Sequence, residues 1–459
     1  MEQTVKEMIK GIVGVENFTD SLIDLISYAT DGSEHKHRPE AAVWPTSTTQ
    51  VSEILKLANE ASFPVVPRGA GTGLVGLAVP VQGGVVLDMG RMNKILEINI
   101  EDRLVVVQPG VVYAALEKVL SPHGFFYPPD PASGKVCTLG GNVATNAGGI
   151  KGAKYGVTKD YVLALEVVLP DGKIMRTGSR CMKTSSGYDM TRLFVGSEGT
   201  LGVMTEITLK ISPKPPRSSV AMATFEDVED AGRAVSEIMH SGILPSVLEI
   251  IDQYGIKTVN QFTTLNLPEV EAILLAETDG YTKEETEYQI SKIIDVFKKN
   301  KASTVKRAKT QKEAQALWAA RKAAGGAFTR ISKNLYAEDL SVPMSKIPKL
   351  LRLVSDLSKK YDLKIPTLGH AGDGNLHPCI AIDASNPEEV KKLHAASAEL
   401  FEKVVAFGGT VTGEHGIGLS KAPYMMMEHG EVSMGMMRAI KRLFDPNNIL
   451  NPGKMALDG

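Results

Sequence analysis

Pro67-Arg68-Gly69-Ala70-Gly71-Thr72-Gly73-Leu74-Val75-Gly76 carries glycines at 71, 73 and 76, the G-x-G-x-x-G spacing of a dinucleotide-binding turn. That spacing marks a Rossmann unit only where a strand leads into it and a helix leaves it. A strand fits residues 63–67. Downstream, Ala78-Val79-Pro80-Val81-Gln82-Gly83-Gly84 puts a proline and two glycines where the helix must begin, then turns into a second strand at 85–89. The doubly wound nucleotide fold is therefore rejected. Successive amides in a tight Gly-rich turn after Arg68 still make an anion-binding concavity. A second run, Gly140-Gly141-Asn142-Val143-Ala144-Thr145-Asn146-Ala147-Gly148-Gly149, has the same character. Two such loops in one β-rich region point to a diphosphate cofactor; the plain alternative is two tight turns between strands.

Around these loops the region is strand-rich. Segments 104–108, 162–169, 173–177 and 206–211 read as strands, and Pro170-Asp171-Gly172 turns the second of these into the third. Residues 1–30 read as helical. Ser47-Thr48-Thr49-Gln50 resembles a capping box ahead of Val51, Ile54, Leu55 and Leu57. Pro213-Lys214-Pro215-Pro216 is the clearest linker, because proline resists both helix and central strand. Beyond it, strands at 220–225, 247–251 and 272–277 alternate with helices at 229–240 and 284–300, an α+β layer of ferredoxin-like character. A Met-rich helix is expected around 424–437. Its methionines, Met425 to Met427 with Met434, Met436 and Met437, read first as core filler and second as an adaptable contact surface.

A chain of 459 residues suits two or three domains. The net charge of −2 gives no electrostatic case for nucleic acid or an anionic membrane. No apolar run approaches the ~18 residues of a membrane span. The acidic, weakly apolar stretch Met1 to Ile12 does not read as a signal peptide. Three scattered cysteines, Cys137, Cys181 and Cys379, suit a reducing, cytoplasmic setting and exclude a four-cysteine iron–sulfur cluster within the chain.

The chemistry-bearing residues lie late. Gly369-His370-Ala371-Gly372-Asp373-Gly374-Asn375-Leu376-His377 contains Asp-Gly, a strong hairpin signal. A two-residue turn at Asp373-Gly374 sets His370 directly opposite His377, with Cβ atoms roughly 4.5–5.5 Å apart. The pair is then close enough to share one metal ion. Gly413-Glu414-His415-Gly416 adds a carboxylate and a third imidazole. None of the short zinc motifs fits, so the spacing names no metal.

Taken with Pro128-Pro129-Asp130-Pro131-Ala132-Ser133, Gly196-Ser197-Glu198-Gly199-Thr200-Leu201-Gly202 and Asn448-Ile449-Leu450-Asn451-Pro452-Gly453-Lys454, these motifs span nearly the whole chain. In that order the sequence resembles the FAD-linked oxidases of the vanillyl-alcohol oxidase/PCMH superfamily, in the D-lactate/glycolate dehydrogenase branch. The resemblance implies an α+β molecule. A helical segment at 1–37 precedes a PCMH-type FAD-binding domain at 38–215. A ferredoxin-like α+β substrate cap follows at 216–410, and a segment at 411–459 returns to the flavin. The diphosphate would lie on 67–73, and the flavin along 130–146 and 196–203, ending at Val203, with Asn451 in the tail. FAD would be non-covalent, since the first loop has no His and Gly413–Gly416 has no Cys.

By the same resemblance His370, His377 and Glu414 would hold a divalent ion (Zn, Fe or Mn), and His415 would take the hydroxyl proton of a 2-hydroxy acid. Arg321 would hold the substrate carboxylate; Lys322 is the weaker choice, and Asp339 is at most a supporting group. Relatives specialised for 2-hydroxyglutarate carry a lysine where this chain has Tyr336-Ala337-Glu338-Asp339. That favours D-lactate, then glycolate, over D-2-hydroxyglutarate. Electrons would leave to a partner such as electron-transferring flavoprotein or an iron–sulfur subunit, with electron bifurcation to NAD one version. The rival readings are a flavin-free metal hydrolase, a flavoprotein without net redox such as alkylglycerone-phosphate synthase, and a non-catalytic FAD-bearing scaffold.

Overall fold

The computed structural model describes residues 1–458. Two units divide the chain. The first comprises 1–148, 157–214 and the residues from Glu414 onward; the second comprises 149–156 and 215–413.

In the first unit the strands Phe18–Thr19, Ala41–Val43, Val85–Asp88 and Val65–Arg68 lie side by side in that order, the last three parallel. Runs such as Ala41-Ala42-Val43 form strands because both faces are buried, as parallel sheets require. Ala41, Val43, Val65, Val85 and Leu87 pack into one core with the helix Thr48–Ala61. Ala42, Val66 and Val86 pack on the opposite face against Leu25. Parallel neighbours are usually joined by a helix. Here the connection from Val65–Arg68 to Val85–Asp88 is the irregular loop 69–84, as the proline and glycines of that stretch dictate. The second sheet is antiparallel, in the order Ile95–Asn99, Leu104–Val107, Val203–Lys210, Val162–Val168, Ile174–Gly178.

Ser47 caps its helix as expected, accepting from the Gln50 amide at 3.3 Å. The reciprocal half of the capping box is displaced by one residue: Gln50 Oε1 accepts from the amide of Thr46 at 2.8 Å. The second Gly-rich run also departs from expectation. Its first part is not a turn but the helix Leu139–Thr145, because Thr138 accepts from the Gly141 amide and Asn146 closes the end with φ 54°.

The second unit is built on an antiparallel sheet. Its order is Thr304–Arg307, Arg217–Phe225, Ala272–Gly280, Val247–Asp252, Thr367–His370, Asn375–Ile382 and Asn334–Ala337, with Leu340–Ser341 also pairing Asn375–Ile382. The helices Val228–His240 and Lys283–Lys299 fall where the periodicity places them, but the sheet is wider than a four-stranded ferredoxin-like layer. The insertion 149–156 is tied into this unit by Asp279, which pairs with Lys154 and accepts from the Tyr155 hydroxyl at 2.6 Å. The Met-rich helix runs Met425–Phe444 and bends at Gly430, where φ is 71°. Met425 and Met434 are buried, whereas Met426, Met427 and Met436 are exposed.

Candidate active site

A cavity of ≈ 470 Å³ opens in the first unit, within the usual size of small-molecule sites. The loop 67–73 forms one wall. Pro131, Ser133, Gly140, Gly141, Asn142 and Thr145 form another; Glu198, Gly199 and Val203 close the floor, and Glu414 and His415 enter from the returning segment. Asn146 and Asn451, both expected against the cofactor, do not line it. Asn146 Oδ1 instead accepts from the Lys159 amide at 2.9 Å, and Asn451 ties together backbone beneath the wall.

Two observations show how this wall fits a diphosphate-bearing cofactor. None of the amides of residues 69–73 makes a hydrogen bond to another described residue, so a run of donors is left open. The buried Nδ2 of Asn142 likewise has no acceptor among the described residues; burying such a donor unpaired costs about 1–3 kcal/mol. Arg68 lines the same wall, and neighbouring groups brace it. Its Nη1 donates to the Thr30 carbonyl at 2.9 Å, and its guanidinium lies over the Tyr28 ring. Gly71 follows with φ +68°, and a Cβ there would collide with that guanidinium.

The return of the chain to this cavity rests on Glu198. Its two oxygens accept from the amides of Ile417 at 2.6 Å and Gly418 at 2.9 Å. Burial pushes its carboxyl up to about 7, against the opposing pull of these amides and of Lys454. Asn451 Nδ2 donates to the carbonyls of Leu77 at 3.0 Å and Glu198 at 2.7 Å. Lys454 donates to the Val79 carbonyl at 2.7 Å, and burial pushes its ammonium down to about 8. The segment carrying Glu414 and His415 is thereby fixed to the loop 69–84. His415 Nε2 lies 4.0 Å from Glu414 Oε1.

His370 and His377 belong to the second unit. The hairpin differs from the expected one: His370 pairs with Asn375 and Leu368 with His377, so the loop is 371–374 rather than two residues. Neighbouring strands set this register. The Gly372 amide donates to the Leu248 carbonyl, and the Val342 amide to the Gly374 carbonyl. A shift of two residues preserves the face, so the rings still meet, with centroids 5.4 Å apart and planes at 82°. A ring nitrogen of each lies within 4.8 Å of the other.

Glu249, which the sequence reading passed over, stands beneath this pair. It is directly opposite His370 on the adjacent strand. Its Oε1 lies 2.5 Å from His370 Nδ1, and its Oε2 lies 2.5 Å from Arg321 Nε. Burial alone would raise its carboxyl, but His370 and Arg321 together outweigh that and hold it below the usual range. The signal was available: one carboxylate inside the apolar run Val247-Leu248-Glu249-Ile250-Ile251. Arg321, expected at the substrate carboxylate, has its Nε engaged by Glu249. Asp339, ranked low from sequence, is fully buried and accepts from Asn375 Nδ2 at 2.7 Å, the Thr412 hydroxyl at 2.7 Å and the Gly413 amide at 2.9 Å. His377 Nδ1 is 3.7 Å from the same carboxylate. Both histidines thus stand beside buried acids, the arrangement that orients imidazole ligands.

Comparison with known proteins gives two family matches, an FAD binding domain over residues 39–178 and the C-terminal domain of FAD linked oxidases over residues 214–455. Glycolate oxidase subunit GlcD of Bacillus subtilis is 44% identical over 98% of this chain and 96% of its own length. A D-lactate dehydrogenase of Anaerostipes hadrus is 40% identical over 92% and 90%. Among solved structures, p-cresol methylhydroxylase with substrate bound superposes with a TM-score of 0.83 at 23% identity, covering 99% of this chain and 96% of that one.

Proposed function

The chain belongs to the FAD-linked oxidases and is an oxidoreductase of that family; from that premise we propose that it oxidises a small D-2-hydroxy acid, D-lactate before glycolate, to the 2-oxo acid. The observation that carries the reading is the entry of His415 and Glu414 into the wall of the FAD cavity. It supports a proton acceptor placed where the cofactor must lie.

When bound, FAD supplies a two-electron acceptor. A divalent ion (Zn, Fe or Mn), for which His370, His377 and Glu414 are the proposed ligands, would supply Lewis acidity. The protein's own groups do the rest. Open amides of 69–73 hold the diphosphate oxygens. A ring nitrogen of His415 takes the hydroxyl proton, a task matched to imidazole basicity near neutral pH. The terminal nitrogens of Arg321 hold the carboxylate, its Nε being engaged by Glu249. FAD is held without a covalent bond. Cys137 reaches the cavity wall, but burial pushes its thiol up and so suppresses the nucleophilic thiolate.

Two features support a monocarboxylate. No lysine stands in Tyr336-Ala337-Glu338-Asp339, and Glu338 Oε1 is engaged by the Ser397 hydroxyl at 2.8 Å. Glycolate is the second reading, favoured by the similarity to glycolate oxidase subunits. Three cysteines are too few for a four-cysteine iron–sulfur cluster, which supports a partner as electron acceptor, an electron-transferring flavoprotein or an iron–sulfur subunit, in a cytoplasmic complex. No helix among the described residues is long and apolar enough to cross a membrane.

Anaerobic mixing with a panel of D- and L-2-hydroxy acids tests the proposal. D-lactate is expected to bleach the visible flavin absorption, L-lactate is not, and chelation is expected to slow the bleaching until metal is restored. Faster bleaching by glycolate would move the assignment to the second reading. Bleaching by no hydroxy acid would overturn it.

A further inference from the structure

We propose that Glu249 is a positioning residue that fixes the tautomer of His370, accepting from its Nδ1 and so presenting its Nε2 lone pair for a cation, with the Nε–H of Arg321 holding the second oxygen of Glu249. The proposal rests on the reading of His370 and His377 as metal ligands.

The geometry is specific. Glu249 and His370 are cross-strand partners, so the backbone ladder itself sets their approach. The carboxylate is 1% exposed, and each of its oxygens has one partner, His370 Nδ1 and Arg321 Nε. An ionised carboxylate only accepts hydrogen bonds, so the hydrogen between Glu249 and His370 must sit on Nδ1. A neutral imidazole with hydrogen on Nδ1 has its lone pair on Nε2, the form a metal ligand needs. Arg321 can only donate, and its Nε–H is aimed at the second oxygen. One buried carboxylate therefore joins the arginine proposed for substrate to the histidine proposed for metal. Glutamine cannot replace it cleanly. With Oε1 toward His370, its NH2 group confronts the Arg321 N–H; flipped, it donates to Nδ1 and forces the hydrogen onto Nε2, removing the lone pair.

The test uses the full-length, FAD-loaded protein labelled with 15N at histidine, with the His370 signals assigned by their loss in His370→Ala. Expected is an Nδ1–H tautomer for His370 in the metal-free wild type, and a shift toward Nε2–H in Glu249→Gln. In parallel, Zn2+ affinity measured against a chromogenic chelator is expected to fall roughly 10–100-fold in that variant, with FAD content unchanged. An Nε2–H tautomer in the wild type would overturn the proposal, as would a Glu249→Gln protein with both tautomer and affinity unaltered. If the variant does not fold, the wild-type tautomer decides alone. If the wild type has the Nδ1–H tautomer but takes up no Zn2+, the metal reading fails while the positioning of His370 by Glu249 stands.

Discussion

Glu198 commits one carboxylate oxygen to each of two consecutive amides, Ile417 and Gly418, three and four residues from Glu414. In Glu198→Gln one of those amides meets an NH2 group. A buried donor left unpaired costs about 1–3 kcal/mol, and the segment bearing Glu414 and His415 loosens from the cavity wall. FAD binding is expected to weaken roughly tenfold, each tenfold being about 1.4 kcal/mol; fluorescence titration of the apoprotein reads this directly. His415→Ala should behave differently. Removing a general base lowers kcat by roughly 10²–10⁴-fold while leaving FAD affinity intact, so the two variants separate anchoring from proton transfer. At this scale the sequence announced the groups by type but not by contact. His415 and Glu414 were legible because they sit among glycines. Glu249 gives a weaker signal, because a carboxylate in a strand reads as half-exposed until its cross-strand neighbour is known.

The hairpin 367–382 shows what an element owes to its neighbours. Asp373-Gly374 correctly marked a reversal, and the two histidines correctly share a face. The register was two residues off because Leu248 and Val342, distant in sequence, hydrogen-bond the loop and hold it open. Asp252 acts at the same scale. Its Oδ1 alone accepts from the Gly255 amide at 2.7 Å, capping the helix Gln253–Phe262, and from the Thr367 amide at 2.9 Å on the neighbouring strand. Burial pushes its carboxyl up to about 7, against those two bonds. A folded-state pKa raised above the unfolded value means stability present below pH ~4 and lost as pH rises through 7. Asp252→Asn keeps the accepting oxygen, and Asn caps about as well as Asp, but it has no charge to desolvate. The variant is therefore expected to gain on the wild type progressively between pH 4 and 8, by up to a few kcal/mol at about 1.4 kcal/mol per pKa unit. Urea unfolding midpoints across that range check it; a difference independent of pH would show that the charge is not the cause.

At the scale of the whole chain, the order of motifs was legible and the assembly of the units was not. Proline and glycine content excluded a helix after Gly76, and that single exclusion removed the commonest nucleotide-binding fold. The placement of 149–156 in the second unit depended on Asp279, more than a hundred residues away, which no local pattern could reveal. The cavity carries a consequence for stability. Its walls come from stretches near 70, 140, 200 and 414, all within the first unit. A ligand that bridges them stabilises the native state by RT ln(1 + [L]/Kd), about 2.7 kcal/mol at a hundredfold excess over Kd. For a unit of this size that corresponds to a rise of roughly 5–10 °C in its melting temperature. Hydrogen exchange locates the effect: FAD should slow exchange at 69–73, 139–145 and 414–418, where amides face or support the cavity. The strands of the second unit, Arg217–Phe225 and Ala272–Gly280, contribute nothing to the cavity wall and should exchange alike with and without FAD. Uniform protection across both units would mean that the cofactor acts through global stability and not through these walls.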